Sequence, residues 1–218
     1  MRTLVVGCDA SGKSTLLNTI HQSYGDIVIE STSTDESRAF KRASLNRLVD
    51  ADFISERERL YMGLAKASLE FVRMNAIEDF VSTDGALVTR LSHAVMRRSI
   101  GGDSFTPDDI VADWLSDEAE SGVRLPDIVA LTHAPFPAIV DRISIRQRCG
   151  QKDEKFWGFN SPFFLNHYQE AWKSTLPALA RAGFTCLAFD TTLHTPAEMI
   201  DEYRRTRSSL HVAPSMLH

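Results

Sequence analysis

The chain carries, close to its first residue, the stretch Thr3-Leu-Val-Val-Gly-Cys-Asp-Ala-Ser-Gly-Lys-Ser-Thr15. Its apolar part, Leu4 to Val6, is typical of a short strand that is buried on both faces. The turn that follows, from Gly7 to Ser14, fits the pattern G-x-x-x-x-G-K-[ST] of a phosphate-binding loop, or P-loop. A strand before the loop and a predicted helix after it are the context in which this pattern binds a nucleoside triphosphate.

The spacing of the residues in this loop has a physical reason. Gly7 and Gly12 permit backbone angles that a side chain would hinder, so successive N–H groups can face one anion. The helix predicted from about Lys13 onwards adds the positive end of its dipole at the same place. We expect Lys13 to reach the β- and γ-phosphates of ATP and the Ser14 hydroxyl to ligate Mg²⁺. The predicted ATP-binding residues are Gly7, Ala10, Ser11, Gly12, Lys13, Ser14 and Thr15.

The composition favours an ordinary globular chain and disfavours two classes of partner. The formal net charge of −5 provides no general attraction for a polyanion, which argues against a nucleic-acid partner. No apolar run approaches the ~20 residues of a membrane span, and the first apolar run passes directly into the P-loop instead of showing a signal-peptide pattern. Three widely separated cysteines, Cys8, Cys149 and Cys186, provide neither a metal spacing nor a disulfide framework, which favours the reducing cytoplasm.

Short apolar runs alternate with helical patterns along the chain. The predicted strands lie at residues 4–6, 26–30, 79–84, 127–132 and 184–189. The predicted helices lie at residues 14–23, 36–49, 52–75, 88–98, 107–120, 135–148, 163–182 and 196–207. This alternation predicts an α/β fold of the P-loop NTPase type in three layers, with a five-stranded parallel sheet, helices on both faces and a small lid. We expect one domain over residues 1–206, the lid at about 147–160, and a surface tail over 207–218.

Several stretches, taken in order, resemble the thymidylate kinase branch of the P-loop nucleoside and nucleotide kinases. They are Gly7–Thr15, Phe80-Val-Ser-Thr-Asp84, Leu125-Pro-Asp-Ile-Val-Ala-Leu131, Arg142-Ile-Ser-Ile-Arg146-Gln-Arg148, Phe164-Leu-Asn-His-Tyr168 and Phe189-Asp190. The resemblance extends over nearly the whole length of the chain. It implies an ATP- and Mg²⁺-dependent kinase whose preferred acceptor is a deoxynucleoside monophosphate of thymidylate type.

The part of the resemblance that concerns the acceptor departs from the family pattern. Gly85 stands where the family has an arginine that contacts the acceptor phosphate. Ala94 replaces a base-reading glutamine, the fourth strand ends in Thr132-His133 rather than Leu-Asp, and the loop after Glu30 lacks the usual Pro-Gly-Gly. An acceptor without a phosphate needs no such arginine. A nucleoside kinase, or a kinase of a hydroxymethylated base or nucleotide, is therefore the alternative function, and a P-loop regulatory NTPase is the second alternative.

Three arginines near the predicted lid are candidate catalytic residues. Arg142 and Arg146 are spaced to share one face of a helix, and Arg148 begins the lid. The resemblance implies that lid arginines of this kind close over the transferring phosphate, which matters because Ala10 leaves no arginine inside the P-loop. The structural alternative is a solvated basic helix end that interacts favourably with the helix dipole.

Asp84 is the remaining catalytic candidate. It closes a predicted buried strand, where a carboxylate can hold Mg²⁺-bound water or accept the proton of the acceptor. Its alternative role is that of a cap before Gly85. With Ser14, it forms the predicted metal site.

Four residues are candidates for binding the acceptor, which we expect to be a small-molecule nucleotide or nucleoside. The resemblance places Asp9 against a sugar hydroxyl, with an Asx turn as the alternative. Glu30 is either the base of a nucleoside kinase or a solvated strand end. Arg59 resembles the family's acceptor-phosphate arginine, with Arg57 as its alternative, and Arg90 is a candidate replacement for the missing arginine. The sequence leaves a homodimer open.

Overall fold

A computed structural model of the chain describes residues 1–25, 28–30, 79–83, 85–99, 105–122, 124–149 and 162–212. Within these residues lies a sheet of five strands, every neighbouring pair of which is parallel. The strands are β1 (Arg2–Val6), β2 (Val28–Glu30), β3 (Phe80–Ser82), β4 (Ile128–His133) and β5 (Thr185–Asp190). The continuous apolar runs of β1 and β4 are buried along their length, as expected of strands covered on both faces.

The order of the strands across the sheet is β2-β3-β1-β4-β5. The central strand β1 pairs with β3 on one side, where Leu4 lies opposite Ser82, and with β4 on the other, where Val6 lies opposite Leu131. The chain therefore builds one half of the sheet on one side of β1 and the second half on the other. The carboxyl end of β1 is the switch point, and in open α/β sheets ligands bind in the crevice at that point.

Helices cover both faces of the sheet. In the described part of the chain they are α1 (Lys13–Ser23), α2 (Ala86–Ser99), α3 (Pro107–Ser121), α4 (Phe136–Arg148), α5 (Pro162–Arg181) and α6 (Pro196–Val212). Helices α1 and α6 pack together on one face, and α2, α3 and α5 pack together on the other. Helix α4 adds Ile139 and Ile143 to the core on the face of α2, α3 and α5.

Side chains of β1 alternate between two hydrophobic cores. Leu4 and Val6 belong to the core beneath α2, α3, α4 and α5, which also buries Trp172 completely. Val5 belongs to the core beneath α1 and α6, which includes Leu16 and Ile20 from α1 and Phe189 from β5. Full burial of one such side chain stabilises the fold by roughly 1.5–3 kcal/mol. Burial on both faces of the sheet therefore fixes the position of β1 and of the loop that follows it.

The helix ends follow from local sequence. Helix α3 begins after Thr106, whose side chain accepts a hydrogen bond from the Asp109 N–H, and it ends at Gly122 with a φ of 63°. Helix α6 begins with a reciprocal cap, because the Thr195 N–H donates to the Glu198 carboxylate at 2.7 Å while the Glu198 N–H donates to the Thr195 hydroxyl at 3.3 Å. These are sequence-readable start and stop signals.

The predicted parallel α/β architecture with helices on both faces is confirmed. The tail was predicted to begin at residue 207, and that boundary is wrong: α6 continues to Val212, and Arg207 forms an ion pair with Asp79 at 3.1 Å. The predicted helices at 36–49 and 52–75, and the lid beyond residue 149, lie outside the described residues. Among the helices that the structure does describe, none has the length and apolar character required to cross a membrane.

A buried hydrogen bond joins the first strand to the last helix. The hydroxyls of Thr3 and Tyr203 lie 2.8 Å apart, and both residues are almost completely inaccessible to solvent. Burial raises the pKa of the Tyr203 phenol, which therefore remains protonated at neutral pH. Because the Thr3 hydroxyl cannot reach water, it depends on Tyr203 for a partner, whereas the Tyr203 oxygen also accepts a hydrogen bond from the Arg207 side chain.

We expect Tyr203→Phe to lower the free energy of unfolding by about 1–2 kcal/mol, because it leaves the Thr3 hydroxyl buried without its partner. Urea unfolding followed by circular dichroism measures this loss. The double variant Thr3→Val/Tyr203→Phe should regain part of it, since no hydroxyl is then left buried without a partner. Tyr24→Phe, which alters a half-buried ring packed edge-on against Tyr203, is the matched control; a loss of the same size there would contradict the assignment.

Candidate phosphate-binding site

The P-loop leaves the carboxyl end of β1 with a backbone that glycine makes possible. Gly7 has a φ of 142°, Ala10 of 61° and Gly12 of 107°. A Cβ atom at Gly7 would collide with the carbonyl oxygen of Thr132 on β4, and one at Gly12 would lie 2.7 Å from the Thr191 methyl carbon. Both glycines of the motif are thus required for their angles and for the space that they leave.

Buried hydroxyls fix the inner side of the loop. The Ser11 side chain is fully buried, and its Oγ lies 2.9 Å from Oγ1 of Thr132. The Thr132 hydroxyl is also 3.4 Å from the carbonyl oxygen of Val6. Ser11 therefore ties the loop to β4 and does not present its hydroxyl to a ligand, although its backbone N–H remains part of the loop.

Lys13 lies across the mouth of the loop. Its ammonium group donates hydrogen bonds of 2.8 Å to the carbonyl oxygens of Gly7 and Cys8, and it lies 3.8 Å from the Asp9 carboxylate. Ser14 and Thr15 follow in the first turn of α1 with exposed side chains. A helix N-terminus, an ammonium group and accessible hydroxyls thus converge on one place. The hydroxyl oxygens are of the kind that Mg²⁺ accepts as ligands.

Cys8 fills space beneath the loop. Its Sγ is 3.8 Å from Oε1 of Gln169, which also accepts a hydrogen bond of 3.2 Å from the Ala134 N–H. Burial raises the pKa of the Cys8 thiol to about 11, in spite of the nearby Lys13 ammonium. The group is therefore a neutral thiol at physiological pH and acts as a small apolar side chain.

The three lid-proximal arginines have different surroundings. Arg142 donates hydrogen bonds to the Ala10 carbonyl oxygen at 3.0 Å and to both oxygens of Thr191 at 2.8 and 3.0 Å. Arg146 lies one turn further along α4, on the same face, and Arg148 in the last turn is exposed and donates to the Ser144 carbonyl oxygen at 3.3 Å. Arg142, predicted to be catalytic, is thus bound to the P-loop backbone.

One basic and one acidic side chain, His133 and Asp190, lie at the carboxyl ends of β4 and β5. His133 and Asp190 lie opposite each other in the sheet, with Nδ1 of the imidazole 3.9 Å from the carboxylate. Burial lowers the pKa of His133, and Asp190 offsets this only in part, so the imidazole is neutral at pH 7. Burial acts to raise the pKa of Asp190, but hydrogen bonds from Thr192 outweigh it and the net shift is downward. His133 is thus a neutral group at the rim of the site.

The candidate acceptor residues are only partly placed. Arg90 forms an ion pair with Asp117, so it joins α2 to α3. The backbone of Glu30 ends β2 in register with Ser82, which brings this residue to the same edge of the sheet as the P-loop. Asp9 is exposed beside Lys13. Asp84 and Arg59 lie outside the described residues.

Sequence reasoning missed Thr191, which the structure places in contact with Arg142 and the P-loop. Its signal in the sequence is weak: it is the first residue after a strand that ends in Phe189-Asp190. Gln169 and Thr132 were also missed, because their roles depend on the distance between helix α5, strand β4 and the loop. No spacing within the sequence encodes that distance.

The chain has no match among known protein families, and no curated protein is similar to it in sequence. It is similar to solved structures of deoxyadenosine kinase from M. mycoides. The structure with the products dCMP and dCDP gives a TM-score of 0.65 at 15% identity, over 95% of this chain and 100% of that one. The structure with bound dATP gives a TM-score of 0.62 at 14% identity, with the same coverage.

A further solved structure, the YorR protein from Bacillus subtilis in complex with phosphorylated GDP, gives a TM-score of 0.55. It is 13% identical, over 98% of this chain and 99% of that one. At such low identity the likeness concerns the fold alone, and it is consistent with the predicted α/β class. The thymidylate kinase branch in particular stays a prediction. The chain therefore has the fold seen in the structures of deoxyadenosine kinase and of the YorR protein.

Proposed function

We propose that the protein is an ATP-dependent phosphotransferase that phosphorylates a nucleoside or a nucleotide. The observation that carries the proposal is the P-loop itself. At the carboxyl end of the central strand, the backbone turns through three positive φ angles while Lys13 lies across its mouth. Such a loop concentrates N–H groups and one ammonium group on an anion the size of a phosphate. The likeness to structures that contain dATP, dCTP or phosphorylated GDP supports the proposal.

Lys13 has the central role in this proposal. Its ammonium group exchanges the carbonyl oxygens of Gly7 and Cys8 for phosphate oxygens when a triphosphate binds, and it then offsets the charge that moves during transfer. Mg²⁺ bound with the triphosphate would supply further positive charge to offset the charge of the phosphates. Ser14, exposed in the first turn of α1, would be its ligand from the loop, with Asp84 as the proposed carboxylate.

Arg146 and Arg148 are the proposed arginines of phosphoryl transfer. They lie in the last turns of α4, whose middle is hydrogen-bonded to the P-loop through Arg142. Positioned guanidinium groups stabilise the negative charge that is spread over the transferring oxygens. Asp9 and Glu30 are the proposed contacts to the acceptor, with Glu30 as the base that takes up the proton of its hydroxyl.

The described residues favour an unphosphorylated nucleoside as the acceptor. A buried phosphate needs a cation close to it, and a bidentate arginine is the usual one. Gly85 supplies none, and Arg90 is held in an ion pair with Asp117. A deoxynucleoside monophosphate of thymidylate type is the second candidate, supported by the sequence resemblance and requiring Arg59 as its phosphate contact.

We expect Lys13→Ala to reduce ATP-dependent phosphorylation of a deoxynucleoside mixture by at least ~10³-fold, because it removes a cation from the transferring phosphate. The melting temperature should stay within a few degrees, since this side chain belongs to neither core. Arg204→Ala, which removes an exposed arginine paired with Asp201 on α6, is the control for loss of a cation and should retain full activity. A near-normal rate for Lys13→Ala would overturn the ATP-site assignment.

Arg146→Ala should lower kcat far more than it raises KM for ATP, with a loss of ~10²- to 10³-fold, because its guanidinium acts on the transition state. Steady-state kinetics at saturating acceptor separates the two parameters. The control is Arg181→Ala, which removes an exposed arginine paired with Asp108 on α3. An unchanged kcat in Arg146→Ala would show that this arginine is an ordinary surface charge.

A panel of deoxynucleosides and their monophosphates tests the nature of the acceptor. We expect kcat/KM to be at least ~10-fold higher for the preferred nucleoside than for its monophosphate, since Gly85 offers no cation to the extra phosphate and Arg90 is paired with Asp117. Product analysis by chromatography identifies which compound gains phosphate. Preference for monophosphates, together with a large rise of their KM in Arg59→Ala, would instead establish the thymidylate-type reaction.

A further inference from the structure

The side chains of Arg142 and Thr191 form hydrogen bonds to the backbone of the P-loop on its outer side. The Arg142 guanidinium donates a hydrogen bond of 3.0 Å to the carbonyl oxygen of Ala10. The Thr191 hydroxyl lies 2.9 Å from the carbonyl oxygen of Ser11. These are consecutive carbonyl groups, and the two side chains that hold them are themselves joined, because Arg142 donates to the hydroxyl and to the carbonyl oxygen of Thr191.

The hydrogen count defines the role of the Thr191 hydroxyl. A hydroxyl has one hydrogen to donate and two lone pairs to accept with. Since the Arg142 guanidinium can only donate, the hydroxyl accepts from it at 2.8 Å and gives its own hydrogen to a carbonyl. The Ser11 oxygen at 2.9 Å is closer than the His133 oxygen at 3.2 Å, which already accepts the Thr191 N–H at 2.8 Å.

Because peptide groups are planar, the hydrogen bonds to these two carbonyl oxygens also fix the direction of the N–H groups on the inner side of the loop. In a trans peptide the C=O of one residue and the N–H of the next point in opposite directions. With the Ala10 carbonyl held outward, the Ser11 N–H points inward, where it donates a hydrogen bond of 3.3 Å to the Cys8 carbonyl oxygen and closes the turn of the loop. With the Ser11 carbonyl held outward, the Gly12 N–H also points inward. Anion binding in a P-loop depends on such inward N–H groups.

We propose that Thr191 and Arg142 are positioning residues that hold two consecutive peptide planes of the P-loop in the orientation that binds phosphate. This inference rests on the proposed nucleotide site and deepens it. Arg142 then acts through the loop backbone and does not contact the transferring phosphate. The left-handed φ of 61° at Ala10, which is unfavourable for a residue with a Cβ, is the conformation that the two side chains stabilise.

The close packing and the hydrogen bonds of the backbone around Thr191 fix the position of its hydroxyl relative to the loop. Its methyl carbon lies where it would be only 2.7 Å from a Cβ at Gly12, so the two backbones approach as closely as glycine allows. Its N–H is bonded to the end of β4, and the next residue, Thr192, is bonded to Asp190 at 2.9 Å through its N–H. The hydroxyl is thereby anchored to both β4 and β5, the rigid part of the sheet.

The test compares two ligands, of which one carries a nucleobase and the other consists of phosphates alone. Dissociation constants for ATP and for inorganic tripolyphosphate are measured by calorimetry on the wild type, Thr191→Val and Thr191→Ser. Thr206→Val, on α6, is the matched control for loss of a threonine hydroxyl. We expect Thr191→Val to weaken both ligands about tenfold, which corresponds to about 1.4 kcal/mol. Thr191→Ser, which keeps the hydroxyl, should stay within about twofold of the wild type, and Thr206→Val should not differ from it.

Arg142→Met supplies an independent arm, because it removes the donor to Ala10 while leaving Thr191 intact. It should weaken tripolyphosphate and ATP by similar factors. A loss confined to ATP in either variant would overturn the inference, since it would place the residue against the nucleoside part of the ligand. Equal losses in Thr191→Val and Thr191→Ser would also overturn it, because packing of the methyl group and not the hydroxyl would then be responsible.

The same measurements separate this inference from the proposed function. A wild-type protein that binds both ligands but transfers no phosphate would overturn the kinase proposal, while the comparison of the variants would still decide the role of Thr191. Binding of ATP and tripolyphosphate that is unaffected in all variants would overturn only the positioning role. A wild-type protein that binds neither ligand would overturn both.

Discussion

The close approach of the P-loop to the end of strand β4 is the constraint on which the candidate site depends. Gly7 leaves no space for a Cβ against the Thr132 carbonyl, and the hydroxyl of Ser11 is buried against the hydroxyl of Thr132. The approach requires β1 and β4 to be adjacent and parallel, with Val6 opposite Leu131. The strand order places them so, and the two hydrophobic cores hold that order. Packing in the sheet thus determines the shape of the anion-binding backbone.

The positive charge of the site is local, and it is opposite in sign to the net charge of the whole chain. The chain carries a formal net charge of −5, yet the loop presents an ammonium group and the N-terminus of α1. The exposed Asp9 carboxylate, 3.8 Å from the ammonium group, offsets part of this positive charge, whereas the neutral His133 and the protonated Cys8 thiol add no negative charge. An anionic ligand is therefore attracted at short range, while long polyanions find little favourable potential elsewhere.

The sequence allowed the fold and the centre of the site to be predicted, because both depend on local signals. Apolar runs, helix caps and the glycine spacing of the P-loop each specify their own few residues, which is why β1, the loop and α1 were predicted together. The contact between Arg142 and Thr191 could not be predicted. It joins residues that are far apart in sequence, and its geometry depends on how α4 and the end of β5 meet at the loop. The ion pair between Arg90 and Asp117 could not be predicted for the same reason, since the two residues lie on different helices.

The wide sequence separation between the loop and its supports has a consequence for synthesis on the ribosome. Thr191 is 180 positions from Ser11, and Tyr203 is 200 positions from Thr3. Contacts of such separation form only when nearly the entire chain is present, and closing them is slow. A nascent chain that has emerged as far as β4 already contains every residue of the P-loop motif and its contact Thr132, yet it lacks Arg142 and Thr191, which hold the outer side of the loop. The P-loop is translated before these supports and is therefore among the last parts of the chain to become functional. Chains arrested before β5 also lack Met199, Ile200 and Tyr203 of α6, which complete the core around Val5.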